Sequence, residues 1–126
     1  MSYDLMVFKP EAVPVERETF MNWYRIQTSW KETHGYNNPG VTDIKLQNWF
    51  MEMIQHFPAM NGPYANDEEN QIKADYTIGE NFIYITFPWV VAEKAYSLTK
   101  RIALKHNVGF FDVSADEGDI IFPYSS

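Results

Sequence analysis

Apolar positions recur along this chain with two different periods, and each period predicts one type of element. Apolar residues at every second position favour strands, whereas apolar residues three and four positions apart favour helices. The predicted elements are strands at 3–8, 74–78, 82–87, 109–113 and 119–122, and helices at 16–30, 43–57 and 89–106. Their order along the chain is therefore β-α-α-β-β-α-β-β.

Two helices in the first half carry rows of large apolar side chains. The first row consists of Phe20, Trp23, Tyr24 and Trp30, with the polar Gln27 at the same helical spacing, and the second of Leu46, Trp49, Phe50, Met53 and Phe57. Thr42 is the predicted N-cap of the second helix, because its hydroxyl can accept a hydrogen bond from the first turn. Pro58 is its predicted end, since proline cannot donate the backbone hydrogen bond that the helix needs.

The order of elements also predicts a fold. Without one helix of the first crossover and the last strand, the order is β-α-β-β-α-β, the ferredoxin-like pattern. We therefore predict a single α+β domain over residues 1–126. Its ferredoxin-like sheet gains an extra helix in the first crossover and a C-terminal edge strand. Another α+β arrangement of the same elements is the alternative. The added edge strand can pair with a second copy unless Asp119 and Pro123 prevent it, so the oligomeric state stays open.

A long irregular segment, residues 57–70, separates the helical half from the strand-rich half. It contains two prolines, one glycine and three asparagines, which break both helices and central strands. Irregular segments of this length in compact domains are usually functional or disordered.

Acidic residues concentrate in two runs that the predicted topology brings to one end of the sheet. The first run includes Asp67, Glu68, Glu69 and Asp75, and the second includes Asp112, Asp116, Glu117 and Asp119. Two acidic loops at one end would attract a basic partner and speed its encounter. We predict partner contacts for Asp67, Glu68, Glu69, Asp116, Glu117 and Asp119, and for the loop residue Tyr64.

Two other interpretations of the acidic runs remain open. Acids in loops can simply be solvated and keep a protein in solution. A divalent cation site is the other alternative, but 116–119 lacks the alternating ligands and terminal glutamate of a calcium loop.

Composition narrows the class of partner. The net charge of −7 argues against nucleic acid and against anionic membrane surfaces, both of which require basic residues. The chain has no cysteine, which excludes disulfides and thiolate metal sites. Its beginning lacks the basic and apolar regions of a signal peptide and no apolar run reaches membrane-spanning length, so we expect a cytoplasmic protein.

No recognisable catalytic motif is present. His34, His56 and His106 are scattered without metal-ligand spacing. The sequence has no glycine-rich phosphate loop and no nucleophile elbow, so we predict neither a cofactor nor a metal. Asp4 and Asp112 fall on neighbouring strands of the predicted sheet, and they could act as a carboxylate pair if they share a face. The alternative is that both point to solvent on an uncovered face.

A ligand pocket beneath the long irregular segment is a second functional hypothesis. Tryptophan and tyrosine combine a large apolar surface with a polar group, which suits both pockets and interfaces. The predicted lining residues are Trp30, Met60, Asn61 and Tyr64. This hypothesis predicts a small ligand-binding protein or enzyme.

The chain resembles a family of small, largely uncharacterised bacterial proteins. The resemblance is carried by 3–8, by Trp23-Tyr24 with Gln27-Thr28 and Trp30, by Phe57-Pro58 with 60–63, by 75–79 and by 105–113. It implies no catalytic residues. By analogy of size and charge, the best function is that of an immunity-type inhibitor that covers a basic toxin, and the absence of catalytic motifs favours such a binding protein over an enzyme.

Overall fold

The computed structural model describes residues 2–29, 36, 39–60, 62–65 and 72–123. Five strands are present: β1 (Ser2–Phe8), β2 (Asp75–Ile78), β3 (Phe82–Pro88), β4 (Gly109–Phe111) and β5 (Ile120–Ile121). The α-helices are α1 (Arg17–Gln27), α2 (Ile44–Met53) and α3 (Ala92–Lys105). The predicted α+β class is confirmed.

The five strands form one antiparallel sheet in the order β2-β3-β1-β4-β5. Asp4 of β1 pairs with Thr86 of β3, which pairs in turn with Asp75 of β2. Both α1 and α2 lie in the connection between β1 and β2, and β5 occupies the edge beside β4. At the other edge, the Ile78 amide donates to the Tyr36 carbonyl oxygen at 2.7 Å.

One face of the sheet packs against α2 and α3. Leu5 and Val7 of β1 point to this face, because successive side chains of a strand alternate between faces. The helices contribute fully or nearly fully buried residues to the same core: Leu46, Trp49, Phe50, Met53, Ala95, Leu98, Ile102 and Ala103. This cluster is the larger of the two apolar cores.

The opposite face is covered by α1, so the sheet lies between two helical layers. Met6 and Phe8 point to this face and pack against Phe20 of α1. The Phe8 ring centroid lies 5.2 Å from that of Phe20 and 6.2 Å from that of Trp23, both in edge-to-face geometry, which aromatic pairs favour. Arg17, the first residue of α1, donates to the carbonyl oxygen of Gly118, so the start of α1 is tied to the β4–β5 turn.

Two predicted features of α2 are wrong. Asp43, not Thr42, is the N-cap: its carboxylate accepts a hydrogen bond from the Lys45 amide at 3.0 Å. The Thr42 hydroxyl instead donates to the Glu80 carbonyl oxygen at 3.1 Å, which ties the start of α2 to the β2–β3 turn. The helix ends at Met53, four residues before Phe57, in a series of turns.

The described part of the long irregular segment runs alongside the start of β2. The Ala74 amide donates to the Pro58 carbonyl oxygen, and the Met60 amide donates to the Ala74 carbonyl oxygen, both at 3.0 Å. The Phe57 ring is buried against Phe87, with centroids 5.1 Å apart. This packing fixes the path of the chain from α2 into the sheet.

Glu52 links α2 to the end of α3. Its Oε1 lies 2.9 Å from Lys105 Nζ and 2.9 Å from His106 Nε2. Hydrogen bonds from Lys105 and His106 hold the pKa of Glu52 below its ordinary value of 4.5. Because the folded pKa is the lower one, the link stabilises the fold above pH 4.5, and this contribution disappears as pH falls through the folded pKa.

Glu52→Gln is therefore expected to lower the free energy of unfolding at neutral pH by less than about 1 kcal/mol, as is usual for accessible ion pairs. Urea unfolding of the two proteins at several pH values measures this difference. It should shrink as Glu52 becomes protonated in the wild type. A difference that stays constant down to pH 3 would contradict this role for the link.

Candidate functional site

Several elements meet at one end of the sheet, which we call the lower end: here β1 and β2 begin, and β3 and β4 finish. The α3 helix also begins here, after a single 3-10 turn at Trp89–Val91. The turn at 113–118, which joins β4 to β5, lies at the same end. The predicted acidic turn and the start of β2 therefore lie at the same end of the sheet.

A pocket of about 380 Å³ opens at the lower end. We call it the tyrosine pocket, and it is lined by Tyr3, Ala92, Glu93, Tyr96 and Ser97. Tyr3 comes from the start of β1 and the other four from the first two turns of α3. The pocket exists because these residues of α3 lie one helical turn apart and face the same strand.

Both tyrosines of the pocket lie beside carboxylates. Tyr3 is a neighbour of Asp112, whose charge acts on its hydroxyl, and the Tyr96 hydroxyl lies 3.5 Å from Asp119 Oδ2. The two aspartates are themselves close, since the Asp112 amide donates to the Asp119 carbonyl oxygen at 3.0 Å. The pocket therefore borders a pair of neighbouring negative charges.

The environment of Asp112 disfavours its ionised form. Burial raises the pKa of Asp112, and the negative charge of Asp119 raises it further, while the hydrogen bond from Tyr3 opposes the shift. Burial also raises the pKa of Tyr3, as does the neighbouring Asp112 charge, so the Tyr3 hydroxyl stays protonated. A cation placed beside this group would favour the charged form of Asp112.

The ion pairs found among the described residues do not neutralise these acids. They join Lys9 to Asp43, and Glu52 to Lys105 and His106. One cation contacts the acidic turn and another contacts the lining residue Tyr96. Arg17 donates from Nη1 to the Gly118 carbonyl oxygen at 3.0 Å, and Lys100 Nζ lies 5.6 Å from the Tyr96 ring centroid. Neither cation forms an ion pair with the carboxylates.

The turn after β4 presents the second acidic run to solvent. Asp116, Glu117 and Asp119 are exposed. The turn is anchored at both ends: the Ser114 Oγ accepts from the Asp4 amide at 2.7 Å, and Gly118 packs directly against the Asp112 backbone. These three predicted partner residues are thus held on a tight turn.

The remaining predicted partner and pocket residues are only partly described. Tyr64 is 44% exposed and its ring meets Phe50 edge-on at 5.8 Å. Met60 is also exposed. Neither residue lines the tyrosine pocket. Asp67, Glu68, Glu69, Trp30 and Asn61 lie outside the described residues. A pocket formed by Trp30, Met60, Asn61 and Tyr64 stays a prediction.

The hypothesis that Asp4 and Asp112 share a face is wrong. Met6 pairs directly with Phe111, and both side chains belong to the core beneath α1. Asp4 lies two residues before Met6 and points to that face, whereas Asp112 follows Phe111 and points to the other. Nor does either face stand uncovered, because helices pack on both sides.

Asp4 instead accepts a hydrogen bond from Tyr84, whose hydroxyl lies 2.5 Å from Asp4 Oδ2. Asp4 Oδ1 is buried and has no hydrogen-bond partner among the described residues. Burial, with the hydrogen bond to Asp4, raises the pKa of Tyr84, so this hydroxyl remains a donor. Tyr84 therefore supplies the hydrogen bond to one oxygen of this carboxylate.

Tyr84→Phe is expected to lower the free energy of unfolding by about 1–3 kcal/mol, because it removes the donor to a partly buried carboxylate. Chemical denaturation at neutral pH measures the loss. Tyr64→Phe is the matched control and should change stability by less than about 0.5 kcal/mol, since Tyr64 is exposed. Equal effects from the two substitutions would show that the contact with Asp4 contributes nothing.

Within the described ranges, no three His, Asp or Glu side chains are grouped to hold a metal ion. His106 contacts Glu52, His56 is exposed, and His34 lies outside the described residues. Among the helices that the structure describes, none has the length and apolar character needed to cross a membrane.

Four polar lining residues of the pocket were missed by sequence reasoning: Tyr3, Glu93, Tyr96 and Ser97. One signal could have found three of them. Glu93, Tyr96 and Ser97 have the i, i+3 and i+4 spacing of one helix face, in the helix whose start the topology places at the acidic end. Tyr3 carries no such signal, because it occupies an ordinary core position of a strand.

Comparisons with known proteins add no relative to this picture. The chain matches no protein-family model, and no curated protein or solved structure is significantly similar to it.

Proposed function

We propose that this protein is a small acidic binding protein whose lower end docks a basic protein, and that it acts as an immunity-type inhibitor of a basic toxin. The observation that carries the proposal is the tyrosine pocket. It combines aromatic walls with Glu93, and it borders Asp112 and Asp119, which form no ion pair within the described residues.

Charge supports a basic partner. The chain carries a net charge of −7, and exposed acids at the lower end focus that charge on one part of the surface. A field of this kind accelerates encounter with a positively charged protein and is weakened by salt. Asp116 and Glu117 contribute to this field from the rim of the site, where charge acts mainly on the association rate.

Exposed apolar side chains beside the pocket supply the other part of an interface. Trp89 is 44% exposed and Val90 is 86% exposed. The Trp89 ring lies 5.2 Å from the ring of Tyr3, so this apolar surface continues into the tyrosine pocket. Interfaces often combine aromatic anchors at the centre with charged residues at the rim.

The width of the sheet determines how far a partner must extend to contact both acidic segments. The start of β2 and the turn beside β5 lie at opposite edges, four strand spacings or about 19 Å apart. A standard interface covers about 800 Å² on each protein, which is wide enough to reach from one edge to the other. Asp67, Glu68 and Glu69 are proposed to extend the docking surface on the β2 side.

Affinity capture from the organism that encodes the protein tests the proposal. The informative bait is Asp116→Asn with Glu117→Gln, which removes two charges at the lower end. Its control is Glu11→Gln with Glu80→Gln, which removes two exposed acids from the opposite end of the sheet. A basic protein should be retained by the wild type and the control, and retained less by the lower-end variant.

Two results would contradict docking at the lower end. One is that no basic protein is captured at low salt. The other is that both double variants capture the partner equally well. Either result would leave the acidic turn as a solvated surface, the simpler interpretation of its charge.

A small ligand in place of a protein partner is the second candidate. The volume of about 380 Å³ falls within the range of small-molecule sites, about 300–1,000 Å³. Native mass spectrometry of the purified protein tests this candidate. A retained small molecule that is lost after substitution of Tyr96 would favour the candidate over the inhibitor.

We further propose that the first four strands with α2 and α3 form a ferredoxin-like unit, supported by both helices lying on one face in β-α-β-β-α-β order. On this proposal α1 and β5 are additions. We also propose that the chain belongs to the family of small bacterial proteins that it resembles. A cytoplasmic location is part of the same proposal.

A further inference from the structure

We propose that the tyrosine pocket binds the guanidinium group of an arginine side chain. The inference rests on the proposed function only for the source of that arginine, which is the basic partner. It names the chemical group recognised and the residues that recognise it: Glu93 in the wall, the rings of Tyr3 and Tyr96, and the flanking carboxylates of Asp112 and Asp119.

Charge around the pocket is the first argument. Glu93 lines the pocket directly, Asp119 lies 3.5 Å from the hydroxyl of the lining residue Tyr96, and Asp112 neighbours the lining residue Tyr3. No ion pair among the described residues includes any of these three acids. Three carboxyl groups thus lie at the pocket against the charge of Lys100 on the Tyr96 ring, and this balance favours a cation as the ligand class.

An unsatisfied acceptor is the second argument. Asp112 Oδ1 is excluded from water and has no hydrogen-bond partner in the described part of the chain. A buried carboxylate oxygen without a donor is unfavourable. A cation in the adjoining pocket would offset this cost through charge, even without direct contact.

The aromatic walls are the third argument. The Tyr96 ring packs edge-on against Phe110 at 5.3 Å, and the Tyr3 ring packs against Trp89 at 5.2 Å in a tilted arrangement. Lys100 Nζ already lies over the Tyr96 ring, 5.6 Å from its centroid. This internal contact demonstrates that the ring is placed to attract a cation, and it makes Lys100 a competitor of any incoming one.

Arginine fits these features better than lysine. Its guanidinium group is planar and weakly hydrated, stacks on aromatic rings, and offers five donors to several acceptors at once. The ammonium group of lysine is strongly hydrated and compact. A wall of tyrosines with carboxylates on more than one side therefore favours the guanidinium group.

Titration with N-acetyl-L-arginine amide, followed by NMR, tests the inference on the full chain. The expected shifts are confined to Tyr3, Glu93, Tyr96, Ser97 and Asp112. The citrulline analogue has the same shape without the charge and should bind at least about tenfold more weakly, because it lacks the charge-assisted hydrogen bonds. Equal binding of the two, or shifts centred elsewhere, would overturn the inference. Equal binding of the lysine analogue would remove the preference for guanidinium.

Three variants are expected to affect the binding of arginine amide differently: one weakens it, one strengthens it and one leaves it unchanged. Glu93→Gln should weaken binding about two- to fivefold, as expected for an accessible charge contact. Lys100→Met should strengthen it by a similar factor, because it removes the competing cation. Glu11→Gln lowers the negative charge equally but lies at the opposite end, and should leave affinity unchanged. Unchanged affinity in both Glu93→Gln and Lys100→Met would overturn the role of the pocket.

The inference and the proposed function fail in different ways. If arginine amide binds in the pocket but no basic protein is captured, the pocket chemistry stands and the inhibitor function fails. If a basic partner is captured through Asp116 and Glu117 but Glu93→Gln and Lys100→Met leave its affinity unchanged, the function stands and the guanidinium site fails.

Discussion

Trp49→Ala is expected to lower the free energy of unfolding by about 3–5 kcal/mol, the largest effect of any substitution considered. Trp49 is completely buried between α2 and the sheet. Its indole N–H donates to the Thr99 carbonyl oxygen at 3.3 Å, and its ring meets that of Tyr76 at 6.3 Å. Removing it would leave a cavity and end a hydrogen bond between α2 and α3. Chemical denaturation measures the loss.

Trp49→Phe loses the N–H group and part of the ring but retains much of the apolar volume. Its effect should therefore be clearly smaller than that of alanine. If alanine costs less than about 1 kcal/mol, the value typical of an average substitution, then α2 does not hold this face of the sheet as described.

Gly118→Ala is expected to be the second most disruptive change, with a loss of about 1–3 kcal/mol for forced overpacking. A Cβ at this position would lie 1.9 Å from the Asp112 carbonyl oxygen. Because the clash is with backbone, rotating a side chain cannot relieve it. The turn would have to move, and Arg17 would lose its contact with the Gly118 carbonyl oxygen.

Asp116→Asn in the same turn provides the control. Its side chain is exposed, so stability should change by less than about 0.5 kcal/mol. Because Gly118 positions the neighbouring Asp119, the alanine variant should also weaken binding of arginine amide. Unaltered stability in Gly118→Ala would contradict the close packing of the turn against β4.

Local patterns of the sequence were sufficient to predict most elements. The spacing of Leu46, Trp49, Phe50 and Met53 predicts a helix with one buried face, and all four residues are buried in α2. The hairpin of β2 and β3 also forms around the predicted turn at 79–81. These features depend on contacts between residues that are close in sequence, which is why periodicity alone reveals them.

Features that depend on the pairing of distant strands could not be predicted in this way. Periodicity does not say on which face of the sheet α1 packs, because its apolar stripe would suit either face. The separation of Asp4 from Asp112 follows from the register of β1 with β4, and a shift of one residue would reverse it. The contact of Arg17 with Gly118, 101 positions away, also emerges only in three dimensions.

The candidate site shows the same division. The acidic turn was predicted from composition and topology, and Asp116, Glu117 and Asp119 lie at the lower end as the assumed topology requires. The tyrosine pocket was not predicted. Its residues Tyr3 and Tyr96 lie 93 positions apart in the sequence, the difference between 96 and 3. Only the packing of α3 on β1 brings them together.

An amide chemical-shift map with a short peptide of alternating arginine and glycine tests the central claim most directly. All exposed acids compete for this peptide, so its location on the surface is the result of interest. The account predicts that the largest shifts fall on Tyr3, on 93–97 and on 112–119. Shifts spread evenly over the acidic residues, or centred on Glu11 and Glu80 at the opposite end, would contradict it.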